Sequence, residues 1–255
     1  MNAKTERREL DGHIALVTGG ALNIGRATCL DLAAAGAKVC VNAATSGEAA
    51  KALAEEINAA GGQAMHYVAD IRVPEQVKAM TDAVVEHFGG LTILINNASL
   101  RKVCKTLDMT LEDWRAVMAV TVEGSFLCSQ AAIPHLRKAK KGSIVMVSGV
   151  AANLGVQDRL HAATANGALI AMAKSLAKEM APYNVTVNAL SPGYIDTVRG
   201  ASSGSYPPGS RPTDNLAGRM GKPEEIAGMI RALVGPGGAY TTGQSLHING
   251  GVYMQ

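Results

Sequence analysis

Apolar runs of strand length alternate along this chain with segments of helical spacing, and that alternation limits the fold more than any other feature. The strand-like runs fall at 13–18, 38–42, 64–69, 91–95, 142–147, 185–190 and 245–248. The helical stretches fall at 21–36, 47–60, 74–88, 110–137, 161–180 and 223–234. Punctuation supports these bounds. Gly36 and the Gly61-Gly62 pair stop helices, Pro74 starts one, and Thr110 with Asp113 has the spacing of a capping box. The strands carry apolar residues at consecutive positions, as HIALVT does at 13–18, which is the pattern of burial on both faces. Such strands, repeated with helices between them, imply an α/β chain with a doubly wound parallel sheet, helices on both sides and right-handed crossovers. No linker divides the 255 residues, so they read as one domain. Residues 1–10 are expected to be a flexible tail. Residues 194–217, rich in breakers at 200–210, lie where a substrate loop sits in an open α/β fold.

Composition excludes several classes. Apolar residues are 47% and charged residues 18%, which suits a packed core and not disorder. Aromatic residues are only 4%, so the core must come from Ala, Val, Ile, Leu and Met. A net charge of +3 is too small on this length to imply nucleic acid. Cys29, Cys40, Cys104 and Cys128 form no C-x-x-C pair, which argues against zinc or a disulfide scaffold and for reduced thiols. The opening MNAKTERREL lacks the apolar stretch of a signal peptide. No uninterrupted run approaches the roughly 18 apolar residues of a membrane span. The expectation is a cytoplasmic protein with no membrane partner.

The strongest local motif is Thr18-Gly19-Gly20-Ala21-Leu22-Asn23-Ile24-Gly25, a glycine-rich turn after the first strand that opens a helix. Backbone N–H groups and a helix N-terminus placed this way approach a pyrophosphate closely. The motif resembles the TGxxxGxG turn of the short-chain dehydrogenase/reductase family, with Thr18, Gly19 and Gly25 in place and Asn23 at the middle glycine. Asn tolerates left-handed backbone better than most residues, so the turn can survive. Further segments resemble the family in order: Asp70 after the third strand, Asn96-Asn97-Ala98-Ser99, Asn188 to Gly193, 219–227 and 242–251.

The resemblance implies a Rossmann-type fold, three layers αβα, and a homo-oligomer, tetramer or dimer. It implies a small-molecule carbonyl/alcohol substrate and a nicotinamide dinucleotide held by Gly19, Ala21, Asn23, Ile24 and Gly25. Asp70, Ile71, Asn97, Ala98, Pro192, Gly193, Ile195 and Thr197 complete that set. The second strand ends Asn42-Ala43-Ala44-Thr45-Ser46 without the acidic residue that NAD-selective proteins place on the ribose 2′-hydroxyl. Asn42, Thr45 and Ser46 are therefore expected to favour NADP(H), with NAD(H) as the alternative.

At the catalytic group the resemblance breaks. The family uses Asn, Ser, Tyr and Lys, the last two spaced Y-x-x-x-K. No tyrosine occurs between Tyr67 and Tyr183. Aligned on the helix near 161–180, the Tyr position reads His161 and the Lys position Ala165, while Thr121 takes the Asn position. The Ser position is open. Ser148 lies 13 residues before His161, but matching the following VAANLG selects Gly149. Lys174 is nine residues past Ala165, about 13 Å along a helix, too far to substitute.

Two readings stay open. In one, His161 is the general acid/base, since a histidine near pKa 6.5 needs no cation beside it, with Ser148, Thr121 or Thr164 nearby. In the other the site is inactive and the protein is a nucleotide-binding structural or regulatory subunit. A cofactor-binding lyase or isomerase is a further alternative. Arg101, Lys102, Lys105, Arg199 and Arg211 fall in loops near the expected cleft mouth, where they could bind an anionic substrate, although ordinary surface charge is the commoner role.

Overall fold

Along Ile14–Val17 successive side chains enter opposite cores. Ala15 and Val17 pack with Val39, Ile95 and Ile226, while Ile14 and Leu16 pack with Leu94, Met80 and Leu169. Burial on both faces is why the strand shows no polar alternation. The computed structural model describes residues 8–198 and 213–255. The sheet consists of β1 (Ile14–Val17), β2 (Lys38–Ala43), β3 (Gln63–Val68), β4 (Ile93–Asn96), β5 (Gly142–Val147), β6 (Val185–Pro192) and β7 (Ser245–Ile248). All pairs are parallel, and the order is β3-β2-β1-β4-β5-β6-β7. The chain winds outward from β1 to β3, then returns to β4 on the other side of β1. That reversal opens a crevice at the carboxyl ends of β1 and β4.

The helices are α1 (Asn23–Ala34), α2 (Gly47–Ala59), α3 (Pro74–Phe88), α4 (Leu111–Met118), α5 (Gly124–Ala139), α6 (Ala151–Leu154), α7 (Leu160–Met180) and α8 (Pro223–Val234). α1 packs on α8 and α2 over one face of the sheet, and α3, α5 and α7 cover the other. The capping box forms: Thr110 Oγ1 accepts the Asp113 amide at 3.1 Å, and Asp113 accepts the Thr110 amide at 3.3 Å.

Three sequence expectations change. The helix expected over 110–137 is interrupted at Ala119–Glu123 by a π-turn, which widens the backbone beside the cleft. The four-residue α6 falls below what periodicity can reveal. Residues 8–10 are not a loose tail: Leu10 is fully buried, and its amide donates to Ala35 O at 2.9 Å. Residues 1–7 and 199–212, with Arg199, Arg211 and most of the expected substrate loop, lie outside the described residues.

The continuous helical run Leu111–Ala139 is long and apolar enough by length and composition to cross a membrane, with mean hydropathy 1.4. Its apolar character has a local cause, since Cys128, Ala132 and Leu136 sit fully buried in the core beneath the sheet. Cys29, Cys40 and Cys128 are buried, and burial raises their thiols, to about 12 for Cys40 and Cys128.

Candidate active site

The crevice is built by a few buried polar groups that tie β1 to β4. Thr18 is fully buried, and its Oγ1 accepts the amides of Asn97 and Ala98 at 3.0 and 3.1 Å while donating to Ile95 O at 3.2 Å. The Asn97 amide group donates to the carbonyls of Thr18 and Gly19, both at 3.0 Å. Gly19 has φ +59°, and a Cβ on Gly25 would lie 2.2 Å from Gly19 O. Only glycine lets the turn fold so closely onto α1. Asn23 takes the left-handed conformation at φ +52°, as expected where the family keeps glycine. Its side chain does more than tolerate the turn. Nδ2 donates to Val198 O at 3.1 Å and Oδ1 accepts the Val198 amide at 2.9 Å.

Gly19, Ala21, Asn23, Ile24 and Gly25 line this crevice together with Thr45, Ser46, Asp70, Ile71, Asn97 and Ala98. Asn42 also borders it, but as a strut. It is 1% exposed, Nδ2 donates to Tyr67 O and Ala69 O, and Oδ1 accepts the Gly19 amide at 3.4 Å. Its amide is therefore committed to holding β2 and β3 beside the turn, which corrects its expected role as a phosphate donor. Among the described residues Thr197 borders neither cleft, and its hydroxyl donates to Ile195 O at 3.4 Å. Sequence reading missed Arg72, which lines the crevice and grips Asp70 through Nε at 2.9 Å and Nη2 at 2.6 Å. Those hydrogen bonds hold the Asp70 carboxyl below the usual carboxylate range. An arginine two residues beyond the strand-end aspartate was the available signal.

A second cleft opens beyond the ends of β5 and β6. Thr121, Ser148, Gly149, Ala162, Asn166, Pro192, Gly193, Tyr194 and Ile195 line it, with Arg101 and Arg159. Its empty space is about 1040 Å³ counted out to the open mouth. Ser148 Oγ donates to Asn166 O at 2.9 Å. Thr121 is 2% exposed, and its Oγ1 has no hydrogen-bond partner among the described residues.

His161 does not border this cleft. α7 buries His161, Ala165, Leu169, Ala173 and Ala177, a stripe at four-residue spacing that faces the core. His161 is fully buried, Nδ1 accepts the Ala162 amide at 2.9 Å, and Nε2 has no hydrogen-bond partner among the described residues. Burial keeps its pKa below the usual histidine value, so the ring is neutral at physiological pH. Thr164 is exposed on the far side, its hydroxyl on Leu160 O at 2.9 Å.

Known proteins share this architecture and its motifs. A family model described as enoyl-(acyl carrier protein) reductase matches residues 19–253. The 3-oxoacyl-(acyl-carrier-protein) reductase of Synechocystis sp. is 39% identical over 246 residues, covering 96% of this chain and 98% of that protein. The corresponding reductase of Aquifex aeolicus is 37% identical, covering 96% and 99%. A short-chain dehydrogenase from Burkholderia cenocepacia, solved in complex with NADP, has a TM-score of 0.86 at 34% identity, covering 95% of this chain and 98% of that one. The chain belongs to the short-chain dehydrogenase/reductase family.

Two residues spaced as Y-x-x-x-K are four apart and therefore share one face of a helix. Here the pair at that spacing facing the cleft is Ala162 and Asn166, one residue beyond the His161 and Ala165 expected from sequence. A one-residue slip turns a helix by about 100°, which is the difference between cleft and core. The 13-residue spacing from Ser148 to His161 is preserved from Gly149 to Ala162. A Cβ on Gly149 would lie 2.9 Å from Asn166 Nδ2, so these two positions adjoin. Thr121, Gly149, Ala162 and Asn166 thus line one cleft, with Ala162 and Asn166 at the Y-x-x-x-K spacing on α7.

Proposed function

We propose that the chain is an NADP(H)-dependent oxidoreductase acting on a carbonyl/alcohol pair, in the manner of the 3-oxoacyl-(acyl-carrier-protein) reductases it resembles, with a proton route that uses no tyrosine–lysine pair. One observation carries this reading: the crevice keeps the backbone cradle at Gly19 and Gly25 that a Cβ would fill. The Gly19–Gly25 turn and the start of α1 would hold the pyrophosphate, and Asp70 and Ile71 the adenine. Thr45, Ser46 and Arg72 line the end where a ribose 2′-phosphate belongs, and the stretch 42–46 at the end of β2 carries no acidic residue. Pro192, Gly193 and Ile195 would border the nicotinamide. The bound dinucleotide supplies or accepts the hydride. Thr121 and Asn166 offer neutral hydrogen bonds to a substrate oxygen, and water entering the open cleft carries the proton.

We further propose a cytoplasmic homo-oligomer, tetramer or dimer, formed on the long helices, where Leu111 and Phe126 are 61% and 50% exposed. Sedimentation equilibrium tests the assembly, and a monomer overturns it.

The decisive experiment pairs a fluorescence titration with NADPH and NADH with an absorbance assay of NADPH consumption on acetoacetyl-coenzyme A. Expected are tighter binding of NADPH and turnover slowed by about 10²- to 10⁴-fold relative to a reductase with the full relay. A second reading, nucleotide binding without turnover, is favoured by the four non-titrating positions and predicts binding with no consumption. The lyase or isomerase alternative predicts product without a change in nicotinamide absorbance. Failure to bind either nucleotide overturns the proposal.

A further inference from the structure

We infer that Asn23 is a positioning residue: its side chain fixes the segment that follows β6 against the glycine turn, and through that segment it makes substrate affinity depend on the nucleotide. This inference rests on the nucleotide and carbonyl/alcohol readings of the two clefts and goes beyond both. Residues 193–198 run along the two. Gly193, Tyr194 and Ile195 line the cleft at β5 and β6, and Val198 lines the crevice at β1 and β4. On the substrate side the segment is pinned to the fold. The Gly193 amide donates to Ile248 O at 3.0 Å, the Asp196 amide donates to Gly221 O at 2.8 Å, and Tyr194 O accepts the Gly221 amide at 2.9 Å. On the nucleotide side, the only hydrogen bonds among the described residues that join 193–198 to the turn at 18–25 are those of Asn23, which donates to the Val198 carbonyl and accepts from the Val198 amide.

A side-chain amide that meets both the N–H and the C=O of one residue fixes that residue's orientation as well as its distance. Asn23 is the first residue of α1, at φ +52°, within the turn whose backbone amides would face a pyrophosphate. Ile24, its neighbour, borders both clefts. A dinucleotide that touches the turn and Val198 meets both walls only while this pair is made, so its binding favours the paired arrangement. Both hydrogen bonds are exposed, and a pair so modest in strength is one that a ligand can shift. With the pair made, Tyr194 and Ile195 are held in place before substrate arrives, and substrate no longer bears the cost of ordering them. Linkage makes the effect mutual: substrate tightens the nucleotide by the same factor.

The test measures acetoacetyl-coenzyme A binding by calorimetry with and without saturating NADP⁺, an oxidised pair that cannot react. Expected is binding about fivefold or more tighter with NADP⁺, the lower end of the usual range for coupled sites. Asn23→Gly keeps the left-handed turn and removes the side chain, and it should bring this ratio to about one, whatever its affinity for either ligand alone. Hydrogen exchange gives a second readout away from the substitution. The Asp196 amide, bonded to Gly221 O, should exchange about fivefold more slowly when NADP⁺ binds the unmodified protein, and at an unchanged rate when NADP⁺ binds Asn23→Gly. A ratio near one in the unmodified protein, or an Asn23→Gly protein that keeps the ratio or the slowed exchange, overturns the inference and leaves the proposed function standing. An Asn23→Gly protein that no longer binds NADP⁺ would mean that the side chain serves the nucleotide directly, which overturns it as well. If acetoacetyl-coenzyme A does not bind, the exchange comparison decides alone. Absence of NADP⁺ binding in the unmodified protein overturns the proposed function, and this inference with it.

Discussion

The crevice at β1 and β4 and the cleft at β5 and β6 stand on the same sheet, yet their residues have fared differently. In the first, Thr18, Gly19, Gly25 and Asn97 hold backbone to backbone, and each is tied into the fold by hydrogen bonds or close contact. In the second, Gly149, Ala162 and Asn166 line the cleft, with Asn166 set against Gly149 and no described side-chain hydrogen bond holding any of the three. A residue that shapes the turn cannot change without loss of stability. A residue whose side chain serves only a reaction can shrink to a methyl group, and helix α7 gains a better helix former. The fold therefore preserves the cofactor half by itself, whereas the chemistry of the other half has no structural guarantor.

The largest effect should come from reversing that loss. A variant combining Thr121→Asn, Gly149→Ser, Ala162→Tyr and Asn166→Lys should raise NADPH consumption on acetoacetyl-coenzyme A by about 100-fold or more, the lower range of general acid–base catalysis. Placing the pair one residue earlier, by His161→Tyr with Ala165→Lys, should instead unfold the protein, because both sites are fully buried. A soluble and active second variant would break the assignment of α7. Next in size is the cofactor half. Gly25→Ala should abolish NADPH binding and lower stability by about 1–3 kcal/mol, read by fluorescence titration and thermal unfolding, since overpacking typically costs that much.

Thr18→Val should cost about 1–3 kcal/mol in thermal unfolding, as the amides of Asn97 and Ala98 lose their acceptor. Nucleotide affinity should fall with it, and unchanged affinity in that variant would contradict the comparison. The smallest effect concerns pH. Burial holds the folded pKa of His161 below its unfolded value, so the unfolded chain takes up a proton that the native state refuses. Stability should be full above about pH 6.5 and fall as the pH drops from there toward the folded value. His161→Gln should flatten this fall in part, His13 being lowered by burial as well. An unchanged slope of Tm between pH 7.5 and 5 would place His161 in contact with solvent.

Much of the fold was legible because its signals are local and redundant. Pro74, the Thr110 capping box and the doubly buried strands each act within a few residues. The crevice was legible where glycine is sterically required. What escaped depends on information that a single segment lacks. Asn42 carries the chemistry of a phosphate donor, and only the position of Tyr67 O and Ala69 O shows that its amide is taken. Arg72 became visible once β3 placed it on the crevice wall. The register of α7 was hidden for a physical reason: with Tyr and Lys gone, a stretch reading HAATAN offers alanines on every face, and only packing against the core tells 161 from 162.

The pair of hydrogen bonds between Asn23 and Val198 joins the two halves of the molecule. Asn23 belongs to the glycine-rich turn that opens α1, and Val198 continues the segment that leaves β6. A glycine at 23 could fold the same turn, but it has no side chain to hold that segment, so the asparagine turns a conformational requirement into a tie between the two sites.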